Sequence, residues 1–107
     1  MNISVANMIE TLTMGIQGGF IESVEEIDAI SSMVSRVTLK FLSDCQEVNH
    51  LPIDEMRETI ESVDNFINVV INSHNIDFTD EVESHGLCLA IIDIFRTLGG
   101  LKSLLKL

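Results

Sequence analysis

Apolar positions recur at steps of three and four along most of this chain, the spacing that stacks side chains on one face of an α-helix. The longest such run is Phe20, Val24, Ile27, Ile30, Val34, Val37, Phe41, Cys45 and Val48. At about 100° per residue these positions fall within an arc of about 140°. Arg36, Lys40, Glu25 and Glu47 fall opposite, and Ile21, Met33 and Leu39 lie outside the stripe. The run predicts a helix over 21–49, with Glu22, Glu25 and Glu26 at the positive end of its dipole and a stop before Leu51–Pro52.

Three further segments show the same period. Over 3–17, Val5, Ile9, Leu12 and Ile16 form a stripe with Met8 beside it. Asn2 or Ser4 can cap this helix, and Gly18–Gly19 can end it, because glycine takes the left-handed position after a helix without a Cβ penalty. Over 53–73, Met56, Ile60, Val63, Ile67 and Val70 keep the period without a miss, with Pro52 at the entry. Over 80–98 the helix has Asp77 or Thr79 as its cap and Asp80, Glu81 and Glu83 in its first turn. Taken alone, Leu87–Phe95 also suits a buried strand; its three helical neighbours favour helix. Gly99–Gly100 reads as its end, with Leu101, Leu104 and Leu105 available for a short fifth helical turn.

The fold class that follows is all-α: a small antiparallel four-helix bundle forming one domain over 1–107. The fourth helix is apolar almost all round, and a helix of that kind needs cover on more than one side. A second copy can supply it. The sequence therefore predicts a homodimer, with Met33, Leu39, Leu89 and Ile92 as the dimer surface.

Composition narrows the range of jobs. The chain is 46% hydrophobic and 21% charged, a globular balance. Its net charge of −11 repels phosphates and anionic lipid surfaces, and its six basic residues are scattered. Direct nucleic acid binding and membrane association are not expected. The first basic residue is Arg36 and no apolar run reaches membrane-spanning length, so neither a leader peptide nor a membrane span is expected. Two cysteines make no disulfide framework, which suits the cytoplasm of a bacterium or of a host cell.

Candidate chemistry is sparse. Cys45 with His50, and His85 with Cys88, supply a zinc-like donor set. Bundle topology puts the two pairs at opposite ends, roughly 25–30 Å apart. Buried apolar packing explains the cysteines more simply, so no metal and no cofactor are expected. No G-x-S-x-G or P-loop spacing occurs, and no histidine stands in the H-x-x-K-G pattern of histidine phosphotransfer bundles. His74, at the end of the third helix, suits a cap against the negative end of the dipole. No catalytic residue is assigned, and the chain reads as a non-enzyme.

The segment with most content is the polar face of the third helix. Asp54, Glu58 and Glu61 share it, with Glu55 and Asp64 on its flanks and Arg57 nearby. Solvation alone explains such a face. It also fits an acidic ridge, Asp54, Glu55, Glu58 and Glu61, that docks on a basic protein surface. The function expected is binding and modulation, chiefly inhibition, of a protein partner. A phage or mobile-element antagonist of a host defence or nucleic-acid-binding complex would fit, as would an immunity or chaperone protein. The alternative is a small-molecule or lipid binding module whose cavity is lined by Met8, Met14, Met33 and Met56, with the Met-rich N-terminal helix or the leucine-rich tail as a movable cover.

Overall fold

The computed structural model describes residues 4–74 and 85–106, apart from the side chains of residues 73, 74 and 85–88. It contains four helices, α1 (Val5–Gln17), α2 (Val24–Glu47), α3 (Ile53–His74) and α4 (His85–Leu105). The all-α four-helix fold is the one expected. The proposed caps Asp77 and Thr79 and the acids Asp80, Glu81 and Glu83 lie outside the described residues.

The first two helices begin at serine caps. Ser4 Oγ accepts from the Asn7 amide at 3.1 Å, and Ser23 Oγ accepts from the Glu26 amide at 3.1 Å. The Ser23 hydroxyl also donates to Glu26 Oε1 at 2.9 Å. This corrects the expected start of the second helix from 21 to 24; the sequence signal was Ser23-x-x-Glu26, the spacing of a capping box. Helix α1 ends at Gly18–Gly19 as expected. The Gly19 amide donates to Ile16 O, the Phe20 amide donates to Gly15 O, and Gly19 has φ +79°. Those are the two bonds and the left-handed residue of a Schellman stop.

Helix α4 does not end at Gly99–Gly100. It runs through both glycines to Leu105, taking in the expected fifth turn. Packing explains Gly100: a Cβ there would sit 2.8 Å from Leu42 Cδ2. The glycine lets α4 approach α2 rather than breaking the helix.

Successive helices run antiparallel, but the closest neighbours are not successive. Ser4–Ala6 lie beside Glu55, Glu58 and Thr59, and Ser62 Oγ donates to Glu10 Oε1 at 3.2 Å, so α1 and α3 run parallel. Asp28, Ser32 and Ser35 lie beside Leu89, Ala90 and Asp93, and Leu42 meets Gly100, so α2 and α4 also run parallel. The molecule is thus two helical hairpins laid side by side, with one layer made of α1 and α3 and the other of α2 and α4.

Small hydroxyl residues enter the interior, Thr59 and Ser62 among them where α3 meets α1. Thr13, Ser31, Thr38, Thr59, Ser62 and Thr97 are buried. Thr13, Thr38 and Thr97 donate to the carbonyls of Ile9, Val34 and Asp93, four residues back, at 2.8, 2.6 and 3.0 Å. That is how a hydroxyl is satisfied inside a helix. The buried row of α2 is therefore Ile27, Ser31, Val34, Thr38, Leu42 and Cys45. Phe20, Val24 and Val48, three members of the expected stripe, are exposed instead. Ile21 is absorbed by its own protomer, where it packs on the core over Gly15. The main core joins Ile9, Ile27, Val34, Val63, Phe66, Ile91 and Ile94, and a smaller cluster of Leu42, Cys45, Met56 and Leu101 closes one end.

Candidate protein-binding surface

Helix α3 presents Asp54, Glu58 and Glu61 at positions i, i+4 and i+7, which is one face. All three are exposed, as is Glu55. Packing of α1 alongside α3 brings in a residue that sequence spacing could not supply. Glu10 shares a shallow groove of about 300 Å³ with Glu58, Glu61, Ser62 and Asn65, and its carboxylate is held there by the Ser62 hydroxyl. Glu55 lies on the lower flank, with Val5, Phe41 and Thr59 around it.

The opposite flank carries positive charge. The continuation of α4 brings Lys102 and Lys106 up to Arg57, Glu61 and Asp64, around a floor of Ile60 and Leu105. Lys102 Nζ lies 3.7 Å from Asp64 Oδ2. The sequence set only Arg57 near the ridge; the two lysines were hidden by the expected stop at Gly99–Gly100. The acidic strip therefore widens toward α1 and ends in a basic lip toward α4.

Across the layer formed by α1 and α3, six carboxylates face one guanidinium: Glu10, Asp54, Glu55, Glu58, Glu61 and Asp64 against Arg57. The other five basic residues lie on α2, on α4 or at Lys106 just beyond it. The layer of α2 and α4 has as many acids, Glu25, Glu26, Asp28, Asp44, Glu47 and Asp93, but balances them with four basic residues; the excess of negative charge on the layer of α1 and α3 is what steers an oppositely charged protein to a particular side.

The remaining candidates are dispersed. Cys45 is buried among Leu42, Met56 and Leu101. Burial pushes its thiol up from the ordinary value, with Asp44 and Glu55 adding to the shift. His50 is exposed, and the side chains of His74, His85 and Cys88 lie outside the described residues. Among the described residues, no three His, Cys, Asp or Glu side chains are grouped to hold a metal ion. The four methionines do not converge: Met56 is fully buried in the end cluster, whereas Met14 and Met33 are exposed. Leu101 is fully buried and Leu104 and Leu105 pack against the same cluster, which makes the tail part of the core rather than a cover. Of the proposed dimer residues, Met33, Leu39, Leu89 and Ile92 are all exposed.

Among the described residues no helix is long and apolar enough to cross a membrane. No family model, curated protein or solved structure matches this chain.

Proposed function

We propose that this protein is a non-enzymatic binding protein that docks the acidic layer of α1 and α3 on a basic surface of another protein and so blocks it. The observation that carries this reading is the charge imbalance of this layer: six carboxylates to one guanidinium, with Asp54, Glu58 and Glu61 aligned and exposed. Along the axis Asp54 and Glu58 are about 6 Å apart, and Glu58 and Glu61 about 4.5 Å. That spacing is of the same scale as the charges of a nucleic acid strand. A surface that normally holds nucleic acid is therefore the kind of basic surface the ridge would suit.

The substitution Asp54→Lys/Glu58→Lys/Glu61→Lys tests it. The three positions are exposed, so far-UV circular dichroism should be unchanged. Capture of the partner from the native cell by the immobilised protein should be lost. Capture of the same protein by the reversed and the unaltered chains alike would remove the ridge from the account.

A further inference from the structure

We infer that the groove between α3 and the last turns of α4 binds a monoanion with an apolar tail, a medium-chain fatty carboxylate. The reasons lie in how its walls are built.

Two helices line the groove with matching rows. Arg57, Ile60, Glu61 and Asp64 stand at i, i+3, i+4 and i+7 on α3, and Lys102, Leu105 and Lys106 stand at i, i+3 and i+4 along α4 and its end. The two helices run antiparallel. Lys102 Nζ lies 3.7 Å from Asp64 Oδ2 at one end, so Lys106, one turn further on, comes toward Arg57 at the other. Ile60 and Leu105, both half-buried, form the apolar floor between these ends. The space is about 440 Å³, within the roughly 300–1,000 Å³ of small-molecule sites, and it is open on one side. From Arg57 to Asp64 the groove runs about 10 Å along the axis. Octanoate, built on carbon–carbon bonds of about 1.5 Å, is of that length.

Charge selects the head group. Three of the six basic residues of a chain of net charge −11 meet at this one groove. The dipole of α4 accounts for Lys102 and Lys106 near its C-terminal end. It does not account for Arg57, which stands near the start of α3, the end where a helix dipole favours acids. Arg57 and Lys106 pair with no carboxylate among the described residues, although Glu61 is one turn from Arg57. Three cations set against Glu61 and Asp64 leave one positive charge over. A single carboxylate balances that charge, and the fork of Arg57 matches its two oxygens. A phosphate monoester carries nearly two charges at pH 7 and would be repelled by Glu61 and Asp64. The wider negative charge of the chain opposes any anion at a distance, but it is screened beyond about 8 Å at physiological salt. The floor of Ile60 and Leu105 then favours an alkyl chain over a small anion such as acetate.

Titration of the ¹⁵N-labelled full chain at pH 7 with octanoate, below its micelle concentration, is the test. The amides of residues 57–61 and 102–106 should shift saturably, with half-saturation at about 1 mM or below, the range of a ligand of about ten heavy atoms. Acetate should give no such shift, and octanol and octyl phosphate should each bind more weakly than octanoate. Arg57→Gln/Lys102→Gln/Lys106→Gln changes three exposed positions and should raise the half-saturating concentration about tenfold or more, with far-UV circular dichroism unchanged. The unaltered chain decides the matter even if that variant folds poorly. No saturable shift of these amides up to about ten times the expected concentration, shifts centred instead on Leu89–Phe95, octanol or octyl phosphate binding as tightly as octanoate, or undiminished binding by the folded triple variant would each overturn the inference.

Discussion

Three residues show how local chemistry sets this structure. Gly100 leaves room for Leu42. Gly100→Leu would gain about 1 kcal/mol in helix propensity but force an over-packed contact costing roughly 1–3 kcal/mol. It should lower the urea midpoint of unfolding. Ser31 is fully buried, and its hydroxyl has no partner among the described residues. Ser31→Ala removes that unpaired group and improves propensity, so stability should rise by about 1 kcal/mol; a lower midpoint would mean that the hydroxyl is satisfied. Cys45 has its thiol pushed above the ordinary value of 9.0 by burial first, then by Asp44 and Glu55. A raised value favours the neutral thiol in the folded chain. Its contribution is complete below pH 9 and is lost as the pH rises through the folded value, because the unfolded chain ionises first. Alkaline titration of stability should therefore fall more gently in Cys45→Ala than in the unaltered protein.

At the scale of elements, the period of three and four was enough to find all four helices, and capping and glycine chemistry placed the stop of α1. The stripe marked the inward side of α2 through Ile27, Val34 and Cys45; what it could not show was that Ser31 and Thr38 are buried beside them. An apolar stripe marks the face a lone helix would bury, whereas hydroxyl side chains such as Ser31 and Thr38 carry no apolar signal even where they are buried. Phe20, which lies before the helix begins, and Val24 in its first turn are exposed. Gly99–Gly100 misled for a related reason, since a glycine pair has the same letters whether it stops a helix or thins it for a neighbour. The candidate site divides in the same way. Asp54, Glu58 and Glu61 share a helix, so their alignment was legible; Glu10, Lys102 and Lys106 reach them only through tertiary packing. Ser23 offers a check at this scale. Its hydroxyl holds the first turn of α2, and Ser23→Ala should cost about 0.5–2 kcal/mol, measured by thermal or chemical unfolding. No loss on that substitution would mean that the cap contributes nothing.

For the whole molecule, the two layers divide the work of the surface. Each carries six carboxylates, but the layer of α1 and α3 sets them against the single guanidinium of Arg57, whereas that of α2 and α4 sets them against Arg36, Lys40, Arg96 and Lys102. Proteins with strong net charge stay soluble at the cost of self-repulsion, and the layer of α1 and α3 bears the larger share of the net negative charge of the two. If the layer of α1 and α3 binds a basic partner, association is driven by charges at the surface, and those are screened beyond about 8 Å at physiological salt. The measurement that tests this most directly is the dissociation constant of the captured partner as a function of salt, for the unaltered chain and for Asp54→Lys/Glu58→Lys/Glu61→Lys. The account predicts binding that weakens steeply as salt rises and that the triple substitution abolishes at every salt concentration. Affinity that is independent of salt and undiminished by the substitution would contradict it.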